Sequence, residues 1–234
     1  MLTLTTLCIA AAMVGDKITL TESTPGTGPG AKSGELVTVS YLLRIKGQEP
    51  IIDKTEGGPP FAFFLGKKSV IAGFDQAVTG MKVGAKRVVE IPPSLGYGDQ
   101  KKGPIPGGST LVFEIELHRI DTKTSLKKVE ETFFTKGQGA LVEKGNEISI
   151  HYVGTYLNGI EFDSSRRPGK KPFQFIAGVG QVVAGFDQSV MGKRVGDRFK
   201  AVIPYPLAFG EFGNDAIPPL STLIFDLEIM DVKK

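Results

Sequence analysis

Few side chains in this sequence could carry covalent, acid–base or metal chemistry. Cys8 is the sole cysteine, so no internal disulfide can form, and His118 and His151 are the only histidines, which leaves no soft-metal site. The densest basic cluster, Arg166, Arg167, Lys170 and Lys171, could touch phosphates, but such a run is by default a solvated loop. What recurs instead is an apolar set. It comprises the rings Phe61, Phe63, Phe113, Phe173, Phe175 and Phe225, and the pairs Val70-Ile71 and Val182-Val183 directly before Ala-Gly-Phe. Taken singly, these are core rings and buried helix lead-ins, while Asp53 and Asp163 are turn or capping residues. By themselves they name no chemistry; what lifts them above that default is that they occur together, in order, more than once.

The set occurs twice, in one order. Val37-Thr-Val-Ser-Tyr41 is answered by Ile148-Ser-Ile-His-Tyr152, Pro60-Phe-Ala-Phe63 by Pro172-Phe-Gln-Phe175, and Ala72-Gly-Phe-Asp-Gln76 by Ala184-Gly-Phe-Asp-Gln188. Ser109-Thr-Leu-Val-Phe113 likewise returns as Ser221-Thr-Leu-Ile-Phe225, at offsets of 111 or 112 residues throughout. A repeat of that length means duplicated domains rather than a solenoid, and 234 residues suit two domains of common size.

The elements that must position these residues are short strands and one helix per copy. Thirty Gly and 15 Pro exceed what a helical protein carries. Val37, Val39 and Tyr41 alternate with Thr38 and Ser40, and Leu111, Phe113, Ile115 and Leu117 alternate with Val112, Glu114 and Glu116, the period of half-buried antiparallel strands. Phe74, Ala77, Val78 and Met81 fall at helical spacing and stop at Gly80 to Gly84; Phe186, Val190 and Val195 echo them. Each copy then has a long Gly/Pro loop, 92–108 and 204–219, and structureless loops of that length are usually functional.

The pattern predicts domains at 16–122 and 135–234, joined but not fused. The charged linker, 123–134, carries Leu126, Val129 and Phe133 on a helix-like stripe and is expected to be a short helix. Residues 1–15 have no charged side chain and contain Ala10-Ala11-Ala12, a small-x-small site, so export is favoured over cytoplasmic residence. That segment is too short to span a bilayer, so no transmembrane segment is expected. The net charge of +3 divides as 13 − 12 = +1 up to residue 122 and 15 − 13 = +2 beyond it, which argues against a nucleic-acid partner.

The order of these motifs resembles the FKBP-type peptidyl-prolyl cis-trans isomerases over roughly residues 17–121 and 135–232. The run His151-Tyr152-Val-Gly154, Gly159-Ile-Glu-Phe162-Asp163-Ser164-Ser165, Pro172-Phe173-Gln-Phe175 carries the likeness in the second copy; Leu95-Gly-Tyr97-Gly98, Ile105-Pro106 and Leu111-Val-Phe113 carry it in the first. The resemblance implies an α+β fold of two FKBP-like domains, each an antiparallel β half-barrel wrapped around one short α-helix, with an apolar pocket between sheet and helix. It assigns the first pocket to Tyr41, Ile52, Asp53, Phe61, Val70 and Ile71, closed by Phe74, Tyr97, Ile105 and Phe113. The second falls to Tyr152, Phe162, Asp163, Phe173, Val182 and Val183, closed by Phe186, Phe209, Ile217 and Phe225. Three departures from the family pattern stand out: Phe74 and Phe186 replace a tryptophan floor, Phe209 replaces the loop tyrosine, and Ile52 replaces a phenylalanine.

The implied activity is rotation about X-Pro bonds. Its barrier, about 18–20 kcal/mol, comes from amide resonance, and the twisted amide is less polar than the planar one. An aromatic-lined pocket poor in water therefore favours the twisted form by differential binding. Tyr41, Asp53, Tyr97, Tyr152 and Asp163 are the polar catalytic candidates: the loop tyrosine would donate to the substrate carbonyl, and each aspartate would hold the strand tyrosine's hydroxyl. No cofactor or metal is called for. Expected partners are proline-containing polypeptides and macrolides of the rapamycin type. The alternatives are a proline-peptide-binding module, or a chaperone in which one or both domains are catalytically weak. No inserted flap, histidine-rich tail or repeated helical hairpin supports the chaperone or the tetratricopeptide-bearing relatives.

Overall fold

The computed structural model describes residues 17–234, so Cys8 and the export segment expected over 1–15 lie outside the described residues. In the first unit β1 (Thr19–Thr24), β2 (Leu36–Ile45), β3 (Ile51–Lys54) and β4 (Phe61–Phe64) precede helix α1 (Ala72–Val78), followed by β5 (Lys86–Ile91) and β6 (Leu111–Asp121). The second unit repeats the plan with β7 (Glu130–Thr135), β8 (Glu147–Tyr156), β9 (Glu161–Ser164), β10 (Phe173–Ile176), α2 (Ala184–Val190), β11 (Arg198–Ile203) and β12 (Leu223–Lys233).

Each unit is a six-stranded antiparallel sheet, ordered β1-β5-β6-β2-β3 in the first, with β4 also on β2. One edge of the long strand β2 is taken by β6 over its whole length, and the other edge is divided, Leu36–Val39 to β4 and Leu42–Arg44 to β3. The second sheet runs β10-β8-β12-β11-β7 and divides β8 between β9 and β10 in the same way. The α+β fold expected from the sequence is the one found.

Sheet and helix enclose the core because the apolar residues alternate. Leu111, Phe113, Ile115 and Leu117 of β6 are all buried, with Glu114 between them exposed. Helix α1 lies close against β5: a Cβ on Gly73 would come 2.2 Å from Ile91 Cγ2, and one on Gly185 would come 2.3 Å from Ile203 Cγ2. Glycine at that position lets the helix backbone touch the sheet's side chains.

The helix expected across 123–134 is absent. Residues Ser125–Lys127 make a single 3-10 turn, and Glu130–Thr135 form strand β7, paired antiparallel with β11. Residues 130–135 therefore belong to the second sheet. The spacing of Leu126, Val129 and Phe133 fits a helix and not a strand, but only Phe133 lies in β7, and edge pairing with β11 overrides the local period. The long loops are not structureless either. Pro93–Leu95 and Tyr205–Leu207 each form a 3-10 turn, and Lys102 and Ile105 exchange backbone hydrogen bonds.

The units are tied at the junction by a buried carboxylate. Asp121, 1% exposed, accepts hydrogen bonds from Arg119 Nε at 2.8 Å, Ser125 Oγ at 3.0 Å and, across to the second unit, Thr222 Oγ1 at 3.2 Å. Arg119 also forks onto both carboxylate oxygens of Glu130. Asn158 Nδ2 donates to the Gly58 carbonyl at 2.9 Å, a second tie between the units.

Candidate active site

The centre of each unit is a tyrosine on the strand that pairs with three others, β2 in the first and β8 in the second. Tyr41 on β2 is held at its backbone, where its N–H donates to Thr55 Oγ1 at 2.9 Å and its carbonyl accepts from Thr55 N–H at 3.0 Å. Just past the tyrosine, the β2/β3 register slips between Leu43 and Arg44. The Tyr41 hydroxyl donates to Asp53 Oδ2 at 2.6 Å, while Asp53 Oδ1 accepts the Lys54 N–H at 2.8 Å. In the second unit Tyr152 N–H donates to Ser165 Oγ at 2.8 Å, its hydroxyl donates to Asp163, and Asp163 accepts the Ser164 N–H at 2.9 Å. Burial first, and then the hydrogen bond to the neighbouring aspartate, raise both phenols well above the ordinary tyrosine value. Both therefore remain proton donors through the whole neutral range.

Aromatic rings are arranged about each phenol edge to face. Tyr41 meets Phe61, Phe74 and Phe113 at 6.1, 5.8 and 5.9 Å between ring centroids, and Phe74 meets Phe113 at 5.0 Å. Around Tyr152, Phe173, Phe186 and Phe225 stand at 6.0, 6.1 and 6.2 Å, with Phe186 and Phe225 again 5.0 Å apart. Such tilted contacts leave ring faces free toward the space between them. Phe74 and Phe186 are both buried, and each enters from the first turn of its helix.

In the second unit the rings enclose a hollow of about 490 Å³. Tyr152, Phe162 and Asp163 line one side, Phe173, Phe186 and Phe225 the centre, and Val182, Val183 and Phe209 the rest. Ile217 is buried in the core and does not line this hollow. In the first unit Tyr41, Ile52, Val70, Ile71 and Tyr97 pack half-buried on the cluster that holds Phe74, Ile105 and Phe113, and Phe61 stands at the lip, 37% exposed. The residues singled out in sequence thus come together in each unit, apart from Ile217, which is buried behind the hollow of the second.

Two sets of positioning residues escaped the sequence reading. Asp75, within the repeated Ala-Gly-Phe-Asp-Gln run, accepts the Gly66 N–H at 2.8 Å, and Asp187 accepts those of Gly178 and Gly180 at 2.7 and 3.0 Å. These bonds fasten the segments that deliver Val70-Ile71 and Val182-Val183. Thr55 and Ser165, which seat the tyrosine backbones, form the second set. Their signal was available, a hydroxyl residue two positions after each aspartate. In the second unit Tyr156 adds a further anchor, its hydroxyl donating to the Ala216 carbonyl of the long loop at 3.0 Å.

Among known proteins, the model of a family described as FKBP-type peptidyl-prolyl cis-trans isomerase matches residues 28–118 and 139–230. The chain is 32% identical over 203 residues to peptidyl-prolyl cis-trans isomerase FKBP9 of Rattus norvegicus, covering 86% of this chain and 35% of that protein. It is 34% identical over 173 residues to human peptidyl-prolyl cis-trans isomerase FKBP10, covering 73% of this chain and 30% of that one. The crystal structure of the three FKBP domains of wheat FKBP73 aligns with 92% of the chain and 93% of its own at 21% identity and a TM-score of 0.43. The chain spans about a third of the length of the curated relatives it matches. With the family pattern matched twice, once over each sheet-and-helix unit, this chain belongs to the FKBP-type peptidyl-prolyl cis-trans isomerases.

Proposed function

We propose that this chain accelerates cis–trans rotation about X-Pro bonds, with each ring-lined hollow acting on proline by a non-covalent route. The observation that carries this reading is the pairing of a tyrosine hydroxyl with an aspartate at the side of a cluster of rings, built twice from the same elements. Planar amides are stabilised by resonance and charge separation, both lost at the twist. A water-poor aromatic hollow therefore binds the twisted amide better than the planar one, and that difference is the catalysis.

Phe74 and Phe186 form the floor on which the proline ring packs, and Val70, Ile71, Val182 and Val183 exclude water beside it. Tyr41, Asp53, Tyr152 and Asp163 are the polar edge that orients the amide carbonyl as it turns. Tyr97 donates to the substrate carbonyl in the first unit; Phe209 has no such donor. Losing one oriented donor costs about 10²–10³ in the strongest oxyanion sites and less where the charge is smaller. The second unit is accordingly the weaker catalyst, and Phe209 gives it the character of a proline-peptide binder. Rapamycin-type macrolides would occupy the same hollows.

A protease-coupled assay on a proline tetrapeptide, run on the full chain with and without such a macrolide, tests this reading. Acceleration proportional to enzyme and abolished by the macrolide supports it. Macrolide or peptide binding without acceleration favours the binding-module reading instead.

A further inference from the structure

The ring clusters of the two units differ at one place, where residues on two neighbouring strands change together. In the second unit the Phe162 ring stands edge-on to Phe225, with centroids 5.6 Å apart and planes at 87°, and 5.1 Å from the Tyr156 ring. Residue 154 on β8 has no side chain to obstruct it. A Cβ on Gly154 would lie 2.6 Å from Phe162 Cζ, 2.8 Å from Phe162 Cε2 and 3.1 Å from Phe225 Cε1. Rings set among other rings have little freedom to yield, so a larger residue at 154 would drive Phe162 from this place.

The first unit solves the same geometry the other way round. Leu43 faces Asp53 across β2 and β3 as Gly154 faces Asp163 across β8 and β9, and in both pairs the register slips immediately afterwards. Leu43 is 4% exposed, and the residue before the aspartate shrinks to Ile52. Compared copy to copy, the larger residue thus stands on β2 in the first unit and on β9 in the second, and Leu43 and Ile52 both pack on the first core.

We propose that Leu43 and Gly154 are positioning residues that set the substrate preference of the two hollows, acting through Ile52 and Phe162. The second hollow then presents a flat aromatic wall and selects peptides with an aromatic residue before proline. The first presents a branched aliphatic wall and selects aliphatic residues there. Tilted aromatic pairs gain beyond their buried area, which corresponds to a preference of about fivefold. This inference rests on the isomerase reading above.

The test is made in the full chain with two tetrapeptides that differ only in phenylalanine or leucine before proline, reading kcat/KM and the calorimetric Kd for each. The paired exchange L43G/I52F is expected to raise the Phe-to-Leu ratio about fivefold, and G154L/F162I to lower it. The single changes I52F and G154L are expected to lower Tm, and each double variant to recover the loss, as coupled neighbours do. If the preference ratio is unmoved in both folded double variants, or if the Tm losses simply add, the proposal is overturned. A wild-type chain that turns over neither peptide overturns the isomerase reading alone, and the Kd ratios then decide the preference.

Discussion

At the residue scale, each unit rests on one hydroxyl aimed at one carboxylate. Replacing Tyr41 by phenylalanine keeps the ring's edge-to-face contacts and removes only the bond to Asp53. We expect kcat/KM for a proline tetrapeptide to fall by about tenfold, in keeping with a hydrogen bond to a charged partner. Tyr152→Phe is expected to cause a smaller loss, because Phe209 already lacks a hydroxyl. The raised phenols also set a pH dependence. The folded state holds these protons more tightly than the unfolded chain does, so their contribution to stability is full below the ordinary tyrosine value of about 10 and declines as pH rises above it. Chemical denaturation followed from pH 7 to alkaline conditions is expected to show a plateau and then a fall. The fall should be reduced when both tyrosines are phenylalanine.

Helix and strand set how firmly the hollow is held. A methyl at residue 73 would overlap Ile91, so Gly73→Ala forces α1 away from β5 and with it Phe74, at a cost of about 1–3 kcal/mol. Scanning calorimetry is expected to show one unit melting several degrees earlier, with macrolide affinity in that unit reduced as well. Much at this scale could be read from the sequence. The alternation in β2 and β6 marked the strands, and the spacing of Phe74, Ala77 and Val78 and of Phe186 and Val190 marked the helices, although Met81 and Val195 fall beyond their ends. The linker misled because Leu126, Val129 and Phe133 keep helical spacing, while the strand Glu130–Thr135 is set by its pairing with β11, which no local period reports. Ile217 came out behind the hollow rather than on its lining because no sequence period describes how a long loop folds over a sheet.

For the molecule as a whole, Asp121 links the units while standing well apart from either tyrosine. Its strand partner for Tyr41 is Ile115, six residues back along β6, or about 20 Å at the usual strand rise. Asp121→Ala leaves Arg119 and Thr222 short of a buried partner, and a loss of about 3 kcal/mol is expected on denaturation, with isomerase kcat/KM within about twofold of wild type. Such a contact was invisible in sequence, because it joins residues 101 positions apart through a carboxylate that ends one strand.

In the proposed mechanism a dry cluster of rings turns the X-Pro bond by preferring it twisted, and no proton is transferred. Its most direct test compares the catalysed rate of proline tetrapeptide isomerisation by the full chain in H2O and in D2O. Equal kcat/KM in the two solvents is the predicted result. A clearly slower rate in D2O would show a proton moving in the rate-limiting step and would contradict it.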